Sequence, residues 1–173
     1  MTKIGVISDT HDNLSAARKA NEIFRREGVE YVFHLGDFTS PFTFREVFNG
    51  FESKGYCVLG NNDGEKMLLA ALANRMGAML RDYPYTVEIS GKKILLLHGF
   101  GPPENTLSII RALASSGFYD LILYGHTHEP VVEATSATLI VNPGEASGVL
   151  TGRKTVAIVD LETMDARILE LQP

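Results

Sequence analysis

Cysteine, tryptophan and long apolar runs are what this sequence has least of. Cys57 is the single cysteine, so no internal disulfide can form, a usage that fits a cytoplasmic protein. There is no tryptophan, and no apolar run approaches the length needed to cross a bilayer. The first residues, Met1 to Ile7, begin a strand almost at once and lack the apolar stretch and small-residue cleavage site of a signal peptide. Positive charge is also in deficit: 16 Lys and Arg stand against 21 Asp and Glu, a formal net charge of -5. That balance argues against a protein that wraps nucleic acid by neutralising its phosphates. A small phosphate-bearing substrate stays open, because bound dications bring positive charge that a residue count does not see. Linkers, repeats and low-complexity segments are missing too, so residues 1–173 are expected to form one domain.

What is present divides into two halves. In the first, strands and helices alternate. Lys3 to Ser8 reads as a strand, and Asn13 to Glu27 as a helix with Asp12 or Asn13 as cap, Leu14, Ala17, Ala20 and Phe24 as its buried stripe and Gly28 as its stop. Val29 to Leu35 is a strand, Ser40-Pro41 starts a helix running to Phe48, Tyr56 to Leu59 is a strand, and Glu65 to Arg75 is a helix ended by Gly77. Such units imply parallel strands with right-handed crossovers. In the second half, Tyr85 to Ile89 and Lys93 to His98 flank Gly91-Lys92 as a hairpin. A helix over Pro103 to Ser115 and a buried strand over Leu121 to Tyr124 follow. Four short strands come last: Val131 to Ala134, Thr138 to Val141, Thr155 to Asp160 and Arg167 to Leu171, expected to form an antiparallel sheet. Two sheets packed face to face with helices outside would bury all these faces.

Five of these runs end in residues that favour divalent metals: Asp9 and His11, Asp37, Asn61, His98, and His126 with His128. Four of the five histidines in the chain fall in this set. Loops after the carboxyl ends of strands in open α/β sheets converge on one crevice, so the set should meet in one place. Seven ligands exceed what a tetrahedral zinc takes and suit two ions sharing a carboxylate, with Asp37 as the natural bridge. Two ions about 3.5–4 Å apart can clamp a phosphoryl group and activate a water. The mixture of imidazole, carboxylate and amide favours manganese, zinc, iron, cobalt or nickel over magnesium or calcium. Gly36, Gly60, Gly99 and Gly125 beside the ligands permit tight turns and close approach. The Asn61 amide has donors that could also reach a phosphate oxygen.

In order, Ser8-Asp9-Thr10-His11, Gly36-Asp37, Gly60-Asn61-Asn62-Asp63, His98-Gly99 and Gly125-His126-Thr127-His128 resemble the motifs of the calcineurin-like metallophosphoesterases. The likeness runs from residue 3 to about 144, including Asn142-Pro143-Gly144. Size and wording are similar to the small microbial phosphodiesterases, which share their fold with a retromer subunit. The resemblance implies a four-layer α/β/β/α sandwich of two mixed sheets. It implies one metal held by Asp9, His11, Asp37 and His128, and another held by Asp37, Asn61, His98 and His126. It further implies a phosphodiester substrate attacked by a hydroxide between the ions, manganese as the commonest metal, and a homodimer as a plausible assembly.

Two positions depart from the family pattern. Asn62 stands where many members carry a histidine thought to protonate the leaving group, and an amide cannot do so. Asn62 is instead assigned, with Asn61, to substrate binding. Glu145 stands where the subgroup often has serine, and would alter substrate choice if it faced the site. Other residues read more plainly: His34 as a buried or supporting histidine, Asp63 as a helix cap, an orienter of Asn62 or a hydrogen-bond partner of a ligand, Cys57 as core, and Arg153 and Lys154 as a solvated loop. The competing readings are a phosphomonoesterase, including a protein phosphatase, and a non-catalytic interaction module on the same fold.

Overall fold

The near-continuous apolar run of β1 (Lys3–Ile7) buries both faces of the strand, and this decides the layering. Ile4 and Val6 point into one core, while Ile7 points into another. The computed structural model, which describes residues 1–172, has eleven strands and four α-helices in the order β1, α1 (Leu14–Arg26), β2 (Tyr31–His34), α2 (Pro41–Phe48), β3 (Gly55–Val58), α3 (Lys66–Met76), β4 (Met79–Arg81), β5 (Tyr85–Ile89), β6 (Lys92–Leu96), α4 (Pro103–Ser115), β7 (Leu121–Leu123), β8 (Pro130–Ala134), β9 (Leu139–Pro143), β10 (Thr155–Asp160) and β11 (Asp165–Glu170). A 3-10 turn over Glu52–Lys54 leads into β3.

The strands form a six-stranded sheet in the order β11-β10-β1-β2-β3-β4 and a five-stranded sheet in the order β5-β6-β7-β9-β8. β1 to β4 are parallel, as are β6, β7 and β9; the remaining pairings are antiparallel. Three cores separate four layers. Phe24 of α1, Phe44 and Phe48 of α2 and Leu69 of α3 pack against one face of the first sheet. Val6, Phe33, Val58, Leu96, Leu123 and Val141 fill the space between the sheets. Ile110 and Ala114 of α4 cover Leu95, Ile122 and Ile140 on the outer face of the second. This is the α/β/β/α sandwich of two mixed sheets that the resemblance implies.

The helix boundaries follow local chemistry. Asn13 caps α1, its Oδ1 accepting from the Ala16 amide at 3.0 Å. Asp12 does not cap; its Oδ1 accepts from the Thr43 hydroxyl. Ser40 is the residue before α2, with proline at the first helical position, but its side chain makes no capping bond.

The last four strands do not make the expected antiparallel sheet. β8 and β9 pair as a hairpin in the five-stranded sheet, and β10 and β11 pair as another in the six-stranded one. The reason lies in β9 and β10, which are apolar on both faces and therefore join the interior of a sheet, β9 parallel to β7 and β10 against β1. β4 was not expected; three residues between Gly77 and Asp82 are too short to show a period. The hairpin turn is Ser90-Gly91, both with positive φ, one residue earlier than expected and of the kind a two-residue hairpin requires.

Candidate metal centre

All seven candidate ligands lie just beyond the carboxyl ends of parallel strands. Asp9 and His11 follow β1, Asp37 follows β2 and Asn61 follows β3; His98 follows β6, and His126 and His128 follow β7. The site therefore straddles the edges of both sheets. Asp9, His11, Asp37, His126 and His128 have left-handed φ of 53°, 41°, 60°, 69° and 61°. Asp and His tolerate this region better than most residues, yet each such residue costs on the order of 1–3 kcal/mol, a strain that clusters at functional sites. Backbone bonds lock the turns to one another: the Asp9 amide donates to Gly36 O, the His11 amide to Asp37 O and the Gly125 amide to His98 O. Glycine is required where these turns meet. A Cβ on Gly60 would lie 2.1 Å from Asp37 Oδ1, and one on Gly125 2.1 Å from Ser8 Oγ.

The side chains converge. His11, His128 and Asp9 form one group with ligand atoms in mutual reach, and Asp9, Asp37 and His98 form another. Asp37 Oδ2 is 3.6 Å from His11 Nε2 and 3.5 Å from His98 Nε2, so it touches both groups. Asn61 Oδ1 is 2.9 Å from His98 Nε2 and 3.0 Å from His126 Nδ1. Asp9 Oδ2 is occupied by the Ser8 hydroxyl and the His126 amide, which leaves Oδ1 facing inward.

The outward ring nitrogens reveal what the inward ones offer. His98 Nδ1 contacts Leu35 O at 2.7 Å, His126 Nε2 contacts Gly101 O at 2.6 Å and His128 Nδ1 contacts Glu145 Oε2 at 2.9 Å. All three partners only accept, so each of those nitrogens carries the proton. In the neutral imidazoles the other nitrogen then presents a lone pair, and those lone pairs point at Asn61 Oδ1, Asp37 and Asp9. Acceptors facing acceptors need a cation between them, and a histidine whose far nitrogen donates to a carbonyl or carboxylate is the usual arrangement of a metal ligand. Asp9 Oδ1 and His11 Nε2 are buried without a hydrogen-bond partner. The donor set thus fits divalent cations.

The electrostatics agree. Burial pushes the Asp37 carboxyl up, but the contacts with His98 and Asn62 outweigh it and hold the group well below the usual carboxylate range. Burial lowers His98, yet Asp37 and Asp9 bring it above its ordinary value. His128 follows the same balance and is raised to about 9 by Asp9 and Glu145. Without metal, protons on these histidines neutralise the carboxylates; a metal would take their place.

Three supporting residues emerge. Asp63 is buried and neither caps α3 nor bonds Asn62. Its Oδ2 accepts from the amides of Gly60 at 2.7 Å and Asp37 at 2.9 Å, and its Oδ1 from Thr39 at 2.8 Å. It clamps the loop after β2 to the loop after β3, and burial raises its own pKa. His34 is buried, with Nδ1 accepting from the Gly36 amide and Nε2 donating to Thr10 Oγ1; that hydroxyl donates to Asp37 O. Burial lowers its pKa, and it stacks on Phe38 at 3.5 Å. Asn62 is exposed and also steadies Asp37: its amide N–H and side-chain Nδ2 donate to Asp37 Oδ1 and Oδ2 at 2.8 and 2.7 Å. Glu145 faces inward under His128, not the open site. Arg153 pairs with Glu170 on the exposed surface, and Cys57 is buried.

Comparison with known proteins agrees with this geometry. Residues 2–164 match the calcineurin-like phosphoesterase superfamily domain. The chain is 40% identical over 172 residues to a phosphodiesterase of Methanocaldococcus jannaschii, covering 98% of this chain and 99% of that one. It is 30% identical over 166 residues to the phosphodiesterase YfcE of Escherichia coli, covering 85% of this chain and 80% of the relative. A solved archaeal phosphodiesterase superposes with a TM-score of 0.87 at 40% identity, over 98% of this chain and 99% of that one. Vps29 of Chaetomium thermophilum shares the fold alone, at a TM-score of 0.66 and 16% identity over 98% and 96% of the two chains. Seven converging candidate ligands at strand ends and a matching domain model have one common meaning: the chain belongs to the calcineurin-like phosphoesterase superfamily.

Proposed function

We propose that the protein is a metal-dependent phosphodiesterase acting on small substrates. The observation that carries this reading is the convergence of the inward ring nitrogens of His98, His126 and His128 on Asn61 Oδ1, Asp37 and Asp9, with the far ring nitrogens tied to acceptors. Asp9, His11, Asp37 and His128 would hold one ion, and Asp37, Asn61, His98 and His126 the other, with Asp37 as the bridge. Manganese is the first choice of metal, ahead of nickel, cobalt, zinc and iron. When bound, such a pair supplies phosphoryl charge neutralisation and an activated water.

The chain's own residues shape the rest. Asn61 presents its amide donors at the open face of the site, where they would orient a phosphate oxygen. Asn62 steadies Asp37 and carries no titratable proton, so the leaving group departs without a proton from this position. That favours substrates with good leaving groups, since a positioned acid contributes on the order of 10²–10⁴-fold. Two relatives bear the name phosphodiesterase, which supports the diester over the monoester. A single buried cysteine fits residence in the cytoplasm.

The test loads the protein with manganese and compares a bis-aryl phosphate with an aryl monophosphate. Faster diester hydrolysis, abolished in Asp37→Ala, is the expected result. A metal-loaded protein that hydrolyses no diester overturns the proposal, and a faster monoester rate converts it to a phosphomonoesterase.

A further inference from the structure

The segment after β9 holds a carboxylate that the metal ligand set does not use. Glu145 is fully buried. Its Oε2 lies 2.9 Å from His128 Nδ1 and also accepts from the Ser147 hydroxyl at 2.7 Å and the Val149 amide at 2.9 Å. Its Oε1 accepts from the Leu150 amide at 2.9 Å and from the Thr151 amide and hydroxyl. The backbone joins the same partners: the Glu145 amide donates to His128 O, the Ala146 amide to Ser8 O and the Ser147 amide to Asp9 O. The segment is a strap fastening the turn after β1 to the turn after β7.

We propose that Glu145 is a positioning residue for His128. The carboxylate can only accept, so it keeps a proton on Nδ1 and turns Nε2 inward, 3.3 Å from Asp9 Oδ1, as the nitrogen left to bind a metal. The loop amides and hydroxyls hold the carboxylate in turn, so the orientation of one metal ligand is set by residues 147–151. A glutamine cannot reproduce this. Its amide either faces His128, which moves the imidazole proton to Nε2 and removes the lone pair, or faces the loop donors, which displaces the side chain. Glu145 thus sets metal affinity from behind the site rather than selecting substrate from within it. The inference rests on the metal-centre reading above.

The test measures manganese affinity by calorimetry in wild type, Glu145→Gln, His128→Ala and the double variant. Loss of an outer partner of a metal-ligating histidine weakens binding about 10–100-fold, and that is the loss expected for Glu145→Gln. Because Glu145 acts through His128, the same substitution should change the remaining affinity of His128→Ala by less than about twofold. An unchanged affinity in Glu145→Gln, or an equal loss in both backgrounds, overturns the proposal. If Glu145→Gln does not fold, nitrogen NMR of zinc-loaded wild type decides: Nδ1 of His128 protonated with Nε2 ligating supports it, and the reverse overturns it. A wild-type protein that takes up no metal overturns the metal-centre reading and this proposal with it. Normal uptake beside an unaltered Glu145→Gln overturns the positioning role alone.

Discussion

Replacing Asp63 tests whether one buried carboxylate organises the site. Its two oxygens take three backbone amides, from Asp37, Thr39 and Gly60. Asp37 and Gly60 are buried, so Asp63→Ala orphans two donors that water cannot reach, while Thr39 is only half-buried. A buried unsatisfied donor costs about 1–3 kcal/mol, so the alanine variant should lose about 2–6 kcal/mol from those two alone. Against a typical total of about 5–15 kcal/mol, this threatens folding. Asp63→Asn is the gentler probe. It keeps one acceptor oxygen but turns an amide group toward at least one donor, a loss of about 1–3 kcal/mol. For a chain of this size each kcal/mol moves Tm by roughly 2–4 °C. The assay is thermal unfolding of metal-free protein followed by circular dichroism, then manganese titration of the folded variant. Both Tm and affinity should fall, because the clamped amides belong to the loops that carry Asp37 and Asn61. Asp12→Asn is the control, since Asp12 is exposed and accepts one hydroxyl bond, and its cost should stay within about 0.5 kcal/mol. An Asp63→Asn protein with wild-type Tm and affinity would refute the clamp.

Gly60→Ala places a methyl 2.1 Å from Asp37 Oδ1, so it should destabilise by about 1–3 kcal/mol and weaken metal binding together; calorimetry and thermal melts check both, and a neutral result contradicts the close approach. His34→Ala should melt earlier, because the Gly36 amide loses its acceptor and Phe38 its stacking partner, yet retain full metal content by mass spectrometry. Metal binding should release protons near neutral pH. His128 is raised to about 9 without metal, so it is charged there and must lose its proton to ligate. Calorimetry in buffers of differing ionisation enthalpy reads that release, and affinity should rise with pH up to about 9. The metal-free protein should behave oppositely: the stabilisation from the charged His128 is complete below 6.5 and is lost as pH climbs through about 9. Glu145, lowered to about 2 against burial by its bonds to Thr151, Ser147 and His128, adds stability above 4.5 that disappears as pH falls toward about 2.

The convergence of the seven candidate ligands was legible in the sequence because each closes an apolar run, a position that chain topology turns into spatial proximity. The first-half elements were legible for the same reason: βα alternation repeats a single pattern. What escaped were facts about partners. Thr138 to Val141 and Thr155 to Asp160 look like strands from sequence, but which sheet receives them depends on two-faced burial beside β7 and β1. Asp63 left capping, orienting Asn62 and bonding a ligand open, and Glu145 bore on substrate choice only if it faced the site, since an acid near a helix start or a ligand motif can serve in any of these ways. Of the Asp63 partners only the Gly60 amide is near in sequence; the amides 24 and 26 residues away, and the histidine 17 residues from Glu145, leave no local trace.

The two sheets act as the jaws of a vice. Asp9, His11, Asp37 and Asn61 ride on one jaw and His98, His126 and His128 on the other. What sets the gap is the filling between them, Phe33, Val58, Leu96, Leu123 and their neighbours. The spacing between the two sets of candidate ligands is therefore a readout of side-chain volume well below them. A cavity or an added methylene in that filling would alter the gap while leaving every candidate ligand in the sequence.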